Sequence, residues 1–509
     1  MTISILTQTR DFSIQQNLIP HNWQDYADIP FVIPAMCFPW EIFKPIEREY
    51  YTLLYLHLKN ERAHDPSNEI QPALFSITEE EDKSASSLFH LPSTGRKPHP
   101  FMPFFRAFEL ASLQYIEVMV ESVYLQVKSN PLFATMCGFT EKIPSYRSFA
   151  RFDQIMTTNG LWEKARLLVV EYNKGEGVVE TNEEAAAVDT SHIEAEATLN
   201  KTRKTCSCEG NCDCPKVLTD DNVGVMRKSN AVSYIAHKLS MVCGVKSGLP
   251  LTREVFKGNT PDGKTLEPTL ETFKAEHPEM AEQLSFILAD GIYQTPENQK
   301  VTKDVLQAKL VAPINPRNRK DKPTTARGIE KINRYGTPIC ISGHKMELRG
   351  SDRAKGQYIY TCPVFHPNGS PPKIRGVGGL IYTCPVFHPN AKQEGLTCPL
   401  ANHAECCNGA AQGRVFRIDF DQTPQVDVEL PQHGRTFEVL YSARTIIERI
   451  FGILKDGYSL RRVHKRGKQA VEAHVDRCMI SMHIMANMAY YQTGKANCGW
   501  TRNRLQRAN

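Results

Sequence analysis

The 509-residue chain has no uninterrupted apolar run long enough to cross a bilayer. Its most apolar long stretch, FMPFFRAFELASLQYIEVMVESVYLQV from Phe101, is broken by Arg106, Glu109, Glu117 and Glu121, charges that a bilayer centre penalises. It is expected to form a buried helix, with no membrane partner. The opening residues MTISILTQTRDFSIQQ lack a basic region followed by an apolar core, so no secretory signal is read there and a cytoplasmic location is expected. In a reducing compartment, clustered thiols among the 15 cysteines favour metal over disulfide. Net charge is small, +5, and a content of 41% hydrophobic and 23% charged residues excludes disorder as the main theme. The length suggests two to four domains.

The small net charge is unevenly spread. From Tyr441 to the end there are 13 Lys or Arg against 4 Asp or Glu, so this tail carries +9 and the remainder about −4. A second basic stretch, PINPRNRKDKPTTARGIEKINR at 313–334, has the Pro and Gly content of a loop or linker. Both segments suit a polyanion, and both equally suit a solvated surface.

Residues 1–100 are weakly patterned. Residues 101–175 read as helical, a possible DNA-binding domain, with Ser145 as an N-cap after Pro144. From Ala185 the runs AAAVDTSHIEAEA, NAVSYIAHKLSMVC and LSFILAD read as strands, with a helix around Thr269–His277 between them. Alternating strands and helices predict an α/β domain over 185–312. Residues 313–437 interrupt it as Cys-, Gly- and Pro-rich short strands and turns, and helical pattern returns over 438–509.

In LYSARTIIERIFGILK, at 100° per residue, Tyr441, Arg444, Glu448 and Lys455 project at roughly 0°, 300°, 340° and 320°, while Ile446, Ile447, Ile450, Ile453 and Leu454 occupy the other side. One reading is a surface helix with an Arg–Glu pair worth a few tenths of a kcal/mol. The other is an active-site edge, with Glu448 on a divalent cation and Arg444 and Lys455 on phosphates. The spacing Tyr-x2-Arg-x3-Glu-x6-Lys arises by chance on the order of a few times in a thousand chains. It resembles the signature of a large group of bacterial insertion-sequence transposases of the DDE class, named for that Tyr, Arg, Glu, Lys motif. VDTSHIEAEA at 188–197 is similar to the family's first-aspartate strand, and SFILADGIYQTPEN at 285–298 to its second. PSYRSFARFDQIMTTNGLW resembles the helical segment before the catalytic core, and GNTPDGKTL the loop after the second and third strands.

The resemblance implies a ribonuclease-H-like catalytic core of the α/β class, with a helical N-terminal region and a Cys-containing β-rich insertion. Asp189, at the first strand, Asp290, at the end of the fourth, and Glu448, on a later helix, would hold two Mg²⁺ ions, with Mn²⁺ as a substitute. Three carboxylates suit that task, because hard oxygen donors match Mg²⁺ and two such ions serve in-line displacement at phosphorus. Arg444 and Lys455 would contact DNA phosphates, and Tyr441 would pack against or hydrogen-bond the backbone. The run RRVHKRGK, with Arg461, Arg462, Lys465 and Arg466, could extend the phosphate track or be a solvated loop. The activity implied is cleavage of double-stranded DNA at element ends and joining to a target, by a homodimer on DNA in the nucleoid. The rival is an inactive, DNA-binding or architectural relative.

Cys206, Cys208, Cys212 and Cys214 form C-x-C-x3-C-x-C, enough thiolates for Zn²⁺, though tighter than the usual C-x2-C. A second zinc set is Cys340, one repeat cysteine such as Cys384, Cys398 and Cys406 or Cys407, with packed thiols as the alternative. The decapeptide IYTCPVFHPN occurs verbatim at 359–368 and 381–390. Two identical copies read as a recent tandem duplication, since structural repeats drift and need three units to stack.

Overall fold

The computed structural model describes residues 29–63, 98–114, 118–140, 142–200, 217–227, 233–314, 320–362, 374–375, 381–382, 414–423, 426–427, 430 and 435–494. Helices come first: α1 (Val32–Cys37), α2 (Lys44–Ala63), α3 (Phe101–Ser112), α4 (Val120–Ser129), α5 (Pro131–Cys137), α6 (Tyr146–Thr158) and α7 (Leu161–Gly175). There follow β1 (Ala185–Ala195), β2 (Leu199–Asn200), β3 (Val217–Leu218), β4 (Gly224–Arg227), β5 (Ser233–Gly244), β6 (Pro250–Lys257), α8 (Leu266–Glu276), α9 (Pro278–Gln283), β7 (Phe286–Leu288), α10 (Pro296–Leu306) and β8 (Lys309–Val311). Short strands come next: β9 (Lys322–Pro323), β10 (Ile329–Ile332), β11 (Pro338–Cys340), β12 (Glu347–Asp352), β13 (Gln357–Thr361), β14 (Ile374–Arg375), β15 (Ile381–Tyr382) and β16 (Val415–Asp419). The chain closes with α11 (Arg435–Ser442), α12 (Thr445–Gly457), β17 (Arg462–Val463) and α13 (Lys468–Thr493).

The elements fall into two units. One comprises 1–182, 190–260 and 447–509, the other 183–189 and 261–446, so β1 passes from the second to the first after Asp189. These boundaries differ from the linear division at 100, 175, 312 and 437 that composition suggests, because the helical region shares a unit with the C-terminal helix α13.

In the first unit α3 places Phe101, Phe104, Phe105 and Phe108, each at most 2% exposed, into a cluster with Phe152 and Trp162. Truncating such a ring to Ala costs about 3–5 kcal/mol. The expected single long helix from Phe101 is instead two, since α3 ends at Ser112 and α4 starts at Val120. Ser145 is the N-cap position of α6, as its sequence predicts. The sheet of this unit has β5 beside β1, with β5 antiparallel to both β4 and β6, and β17 parallel to β1 through Glu194↔Arg462. The hairpin β2–β3 pairs Leu199 with Leu218. Cys206, Cys208, Cys212 and Cys214 lie between these strands but outside the described residues.

Helix α13 is buried on nearly every side and carries polar groups into that interior. Ser481 donates to Glu109 Oε2 at 2.7 Å, and Glu109 is 1% exposed. Burial pushes its carboxyl up to about 8, against which the Ser481 hydrogen bond and Arg477 pull down. An acid with a raised folded pKa destabilises the fold as pH climbs from its unfolded value toward the folded one. At pH 7 that cost is roughly 3 kcal/mol at 1.36 kcal/mol per unit. Glu109→Gln, which keeps an acceptor for Ser481, is therefore expected to stabilise the protein at pH 7, with the gain vanishing below about pH 4.5. Urea unfolding at both pH values checks this, and an equal gain at both would refute it.

In the second unit β1, β7 and β8 run parallel, with Ala185↔Phe286 and Ala187↔Leu288, then Phe286↔Lys309 and Leu288↔Val311. Ala185–Val188 are all buried, as a strand covered on both faces requires. The basic 313–334 stretch is not simply a loop. Lys322–Pro323 and Ile329–Ile332 are strands of a three-stranded sheet, β11–β10–β9. That sheet shares a core, Ile329, Ile332, Met346, Tyr358, Tyr360 and Ile418, with a second, β12–β13–β16.

The first decapeptide copy supplies Ile359–Thr361 to the central strand β13, where Tyr360 is 2% exposed. The second starts on β15, which pairs with β14. Deleting 359–380 removes β14 and joins Ile381–Thr383 directly to Tyr358, regenerating the sequence of β13 with a shorter return to β16. Shortening a loop changes closure entropy only slightly. The deletion is expected to leave the thermal midpoint and any DNA cleavage unchanged or improved. A large fall in the midpoint would show that both copies are structural.

Candidate active site

Asp189 and Asp290 each follow a segment of two strands that pair with each other. The β1–β7 ladder pairs residues with a constant offset of 101, from Ala185↔Phe286 to Ala187↔Leu288. Asp189 lies two residues beyond the last paired residue of β1, and Asp290 two residues beyond the last of β7. Ala289 N donates to Val311 O at 3.1 Å, which extends the neighbouring β7–β8 ladder one residue past β7. Adjacent strands are about 4.8 Å apart; Asp290 follows the C-terminal end of β7, and Asp189 lies within β1 just past the part that pairs with β7. Open α/β sheets bind their ligands at such ends.

The turn after β7 is built to hold Asp290. Its Oδ1 accepts from Gly291 N at 2.6 Å. A Cβ at Gly291 would lie 2.9 Å from Pro313 O, so only glycine fits. Asn298 Nδ2 donates to Tyr293 O at 3.0 Å, and Tyr293 is fully buried. Thr295 caps α10 through Asn298 N, with Pro296 in its first turn. The sequence DGIYQTPEN thus reads as cap, close approach, anchor and helix start.

Arg444 pairs with Asp189. Its Nη1 donates to Asp189 Oδ2 at 3.0 Å, with side chains 12% and 21% exposed. The guanidinium lies over the Tyr441 ring at 5.6 Å, and Tyr441 stacks on Phe437 at 5.7 Å with a 17° interplanar angle.

The single polar-striped helix expected over 441–455 is broken. Helix α11 ends at Ser442 and α12 begins at Thr445, leaving Ala443 and Arg444 in a non-helical junction. Tyr441 and Arg444 therefore do not share a helix with Glu448 and Lys455. Those two remain on one stripe of α12, seven residues apart, with Glu448 exposed in the first turn and Ile447, Ile450, Ile453 and Leu454 buried. Glu448 and Lys455 belong to the first unit, whereas Asp189, Asp290, Tyr441 and Arg444 belong to the second.

The basic run is engaged with acids. Arg461 pairs with Asp456, and Arg462 Nη2 reaches Glu196 Oε2 at 2.8 Å while Arg466 Nε reaches Glu196 O at 3.0 Å. The Arg462 hydrogen bond holds Glu196 below the usual carboxylate range. Lys465 pairs with Asp153, which is 1% exposed and also bound by Arg477 at 3.2 Å. Arg461 and Arg462 are surface cations, while Lys465 neutralises a buried charge.

Among the described residues, no three His, Cys, Asp or Glu side chains come together to hold a metal ion. Cys340 is buried at the end of β11, and Cys384, Cys398 and Cys406 lie outside the described residues. No described helix is long and apolar enough to cross a membrane.

The profile of the transposase DDE domain matches residues 227–483, which is 257 positions and half of the 509-residue chain. The chain belongs to the transposase DDE domain family. The match includes Asp290, Tyr441, Arg444, Glu448 and Lys455 of this DDE domain and begins after Asp189. No curated protein matches the chain. What sequence reasoning missed in this transposase domain is the Arg444–Asp189 pair. The two residues are 255 positions apart, and no local pattern links them.

Proposed function

We propose that this DDE-family chain is a transposase that cuts DNA at insertion-element ends and joins the freed 3′-hydroxyl to a target, with Mg²⁺ held by Asp189, Asp290 and Glu448. The observation that carries the reading is the parallel β1–β7 ladder, which sets the residues just before Asp189 and just before Asp290 side by side. The parallel ladders β1–β7 and β7–β8 of the second unit, and the antiparallel β5–β6 pair of the first, are both of kinds that a ribonuclease-H-like core contains.

The donors fit the ion. Carboxylates offer hard oxygens, and Mg²⁺ is commonly bound by one or two carboxylates together with substrate phosphates. The chemistry such ions supply when bound is activation of a water or 3′-hydroxyl and stabilisation of the leaving oxygen. The chain's own residues position that chemistry. Gly291 and Asn298 fix the Asp290 turn, Tyr441 orients Arg444, and Arg444 and Lys455 supply cations for phosphates. Two element ends call for two copies of the chain on DNA.

Incubating the protein with duplexes carrying the element's ends and Mg²⁺ or Mn²⁺ tests the reading. Strand cleavage is expected, and binding without cleavage would favour an architectural relative. Phosphate binding should also follow the basic run unequally. Neutralising Arg461, Arg462 and Arg466 is expected to flatten the dependence of log affinity on log salt by up to about 0.9 per lost contact. Lys465→Ala should instead lower stability, because it strips a partner from buried Asp153. An unchanged slope in the triple variant would return these arginines to solvated surface.

A further inference from the structure

We propose that Arg444 is a latch that competes with the divalent cation for Asp189 and is drawn away by a DNA phosphate, so that metal and DNA bind cooperatively. This rests on the proposed metal site. Three observations on one side chain support it. First, the guanidinium donates directly to Asp189 Oδ2 at 3.0 Å in a largely desolvated setting, where an ion pair is worth more than at an open surface. Second, Arg444 stands in the two-residue non-helical junction between α11 and α12, where a side chain can be redirected without unwinding either helix. Third, its outer support is the Phe437–Tyr441 stack, which guides the guanidinium without consuming its hydrogen-bond donors.

The chemistry leaves few ways to release Asp189. A guanidinium does not lose its proton in proteins, so the pair cannot be opened by neutralising Arg444. A divalent cation entering at Asp189 would face a positive charge already bonded to the oxygen it needs. The pair opens when Arg444 finds another anion, and phosphate accepts the same forked donors as carboxylate. Phosphate on Arg444 then frees Asp189 for the metal, while metal on Asp189 frees Arg444 for phosphate. Thermodynamic linkage requires the two effects to be equal in size. An enzyme that cuts DNA gains from this arrangement, because its metal site is fully formed only on substrate.

The test counts bound Mn²⁺ directly, from the loss of the free-ion EPR signal during titration of the full chain, with no turnover involved. Without DNA, Arg444→Gln is expected to bind Mn²⁺ roughly tenfold more tightly than the wild type, within the usual range of allosteric coupling. Arg444→Lys, which keeps a cation there, should stay near the wild type. A short duplex lacking element-end sequence should tighten Mn²⁺ binding to the wild type but add little in Arg444→Gln. Tyr441→Ala, which removes the support and leaves the arginine, should give an intermediate affinity and covers the case in which Arg444→Gln misfolds. Equal Asp189-dependent Mn²⁺ affinity in wild type, Arg444→Gln and Tyr441→Ala overturns the latch alone. Mn²⁺ binding unaffected by Asp189→Asn overturns the metal site, and the latch with it.

Discussion

Asp290→Asn is expected to lower strand cleavage on the order of a thousandfold or more while leaving the protein folded. The variant is chosen from the geometry. Asp290 Oδ1 caps Gly291 N at 2.6 Å, and an asparagine oxygen accepts the same hydrogen bond, so the turn survives. What disappears is the negative charge that a hard divalent cation requires. Losses of this size are usual when a member of a catalytic unit is removed. Asp189→Asn should be as severe for chemistry, with a different side effect, since it frees Arg444 from a carboxylate. Far-UV circular dichroism and unfolding midpoints separate chemistry from folding. Full cleavage by either folded variant would sink the assignment of the pair.

The Glu448 reading rests on Tyr-x2-Arg-x3-Glu-x6-Lys, a local spacing that helical periodicity carries. The same periodicity misled at Ala443 and Arg444, where a polar stripe continues across a junction that is not helical. A stripe records which residues avoid the core, and two helices meeting end to end can keep one stripe. Asp290 could be read with its surroundings, since DGIYQTPEN contains a cap, a required glycine and a Pro-initiated helix within nine residues. Asp189 could be placed on a strand, but the pairing of that strand with the one before Asp290 depends on register between residues 101 positions apart. Long-range pairing leaves no trace in local pattern. The helical region at 101–175 looked separable for the same reason. Its ties to α13 span more than 300 positions.

The firmest of those ties predicts the largest change in stability. Asp476, on α13 and 1% exposed, accepts from Arg166 Nε at 2.9 Å, from Arg253 Nε at 3.0 Å and from Arg253 Nη2 at 2.7 Å. Arg166 is fully buried and spends another donor on Leu251 O at 2.9 Å. Burial works against charge on Arg253, but Asp476, then Glu472 and Glu163, outweigh it and hold that guanidinium firmly charged. Arg166 pairs with the same carboxylate, its Nε 2.9 Å from Asp476 Oδ1 with both side chains almost fully buried. Asp476→Asn removes the buried negative charge that both guanidiniums share, and breaking a buried pair on one side costs about 3–5 kcal/mol. That is a large share of the 5–15 kcal/mol that holds an ordinary domain together, so the variant should unfold at markedly lower urea. Replacing Arg166, Arg253 and Asp476 together with apolar residues of similar volume should recover much of the loss, because no charge is then left unpaired. A single variant that loses less than about 1 kcal/mol would mean that water reaches Arg166, and the three residues would then contribute little to joining α7, β6 and α13.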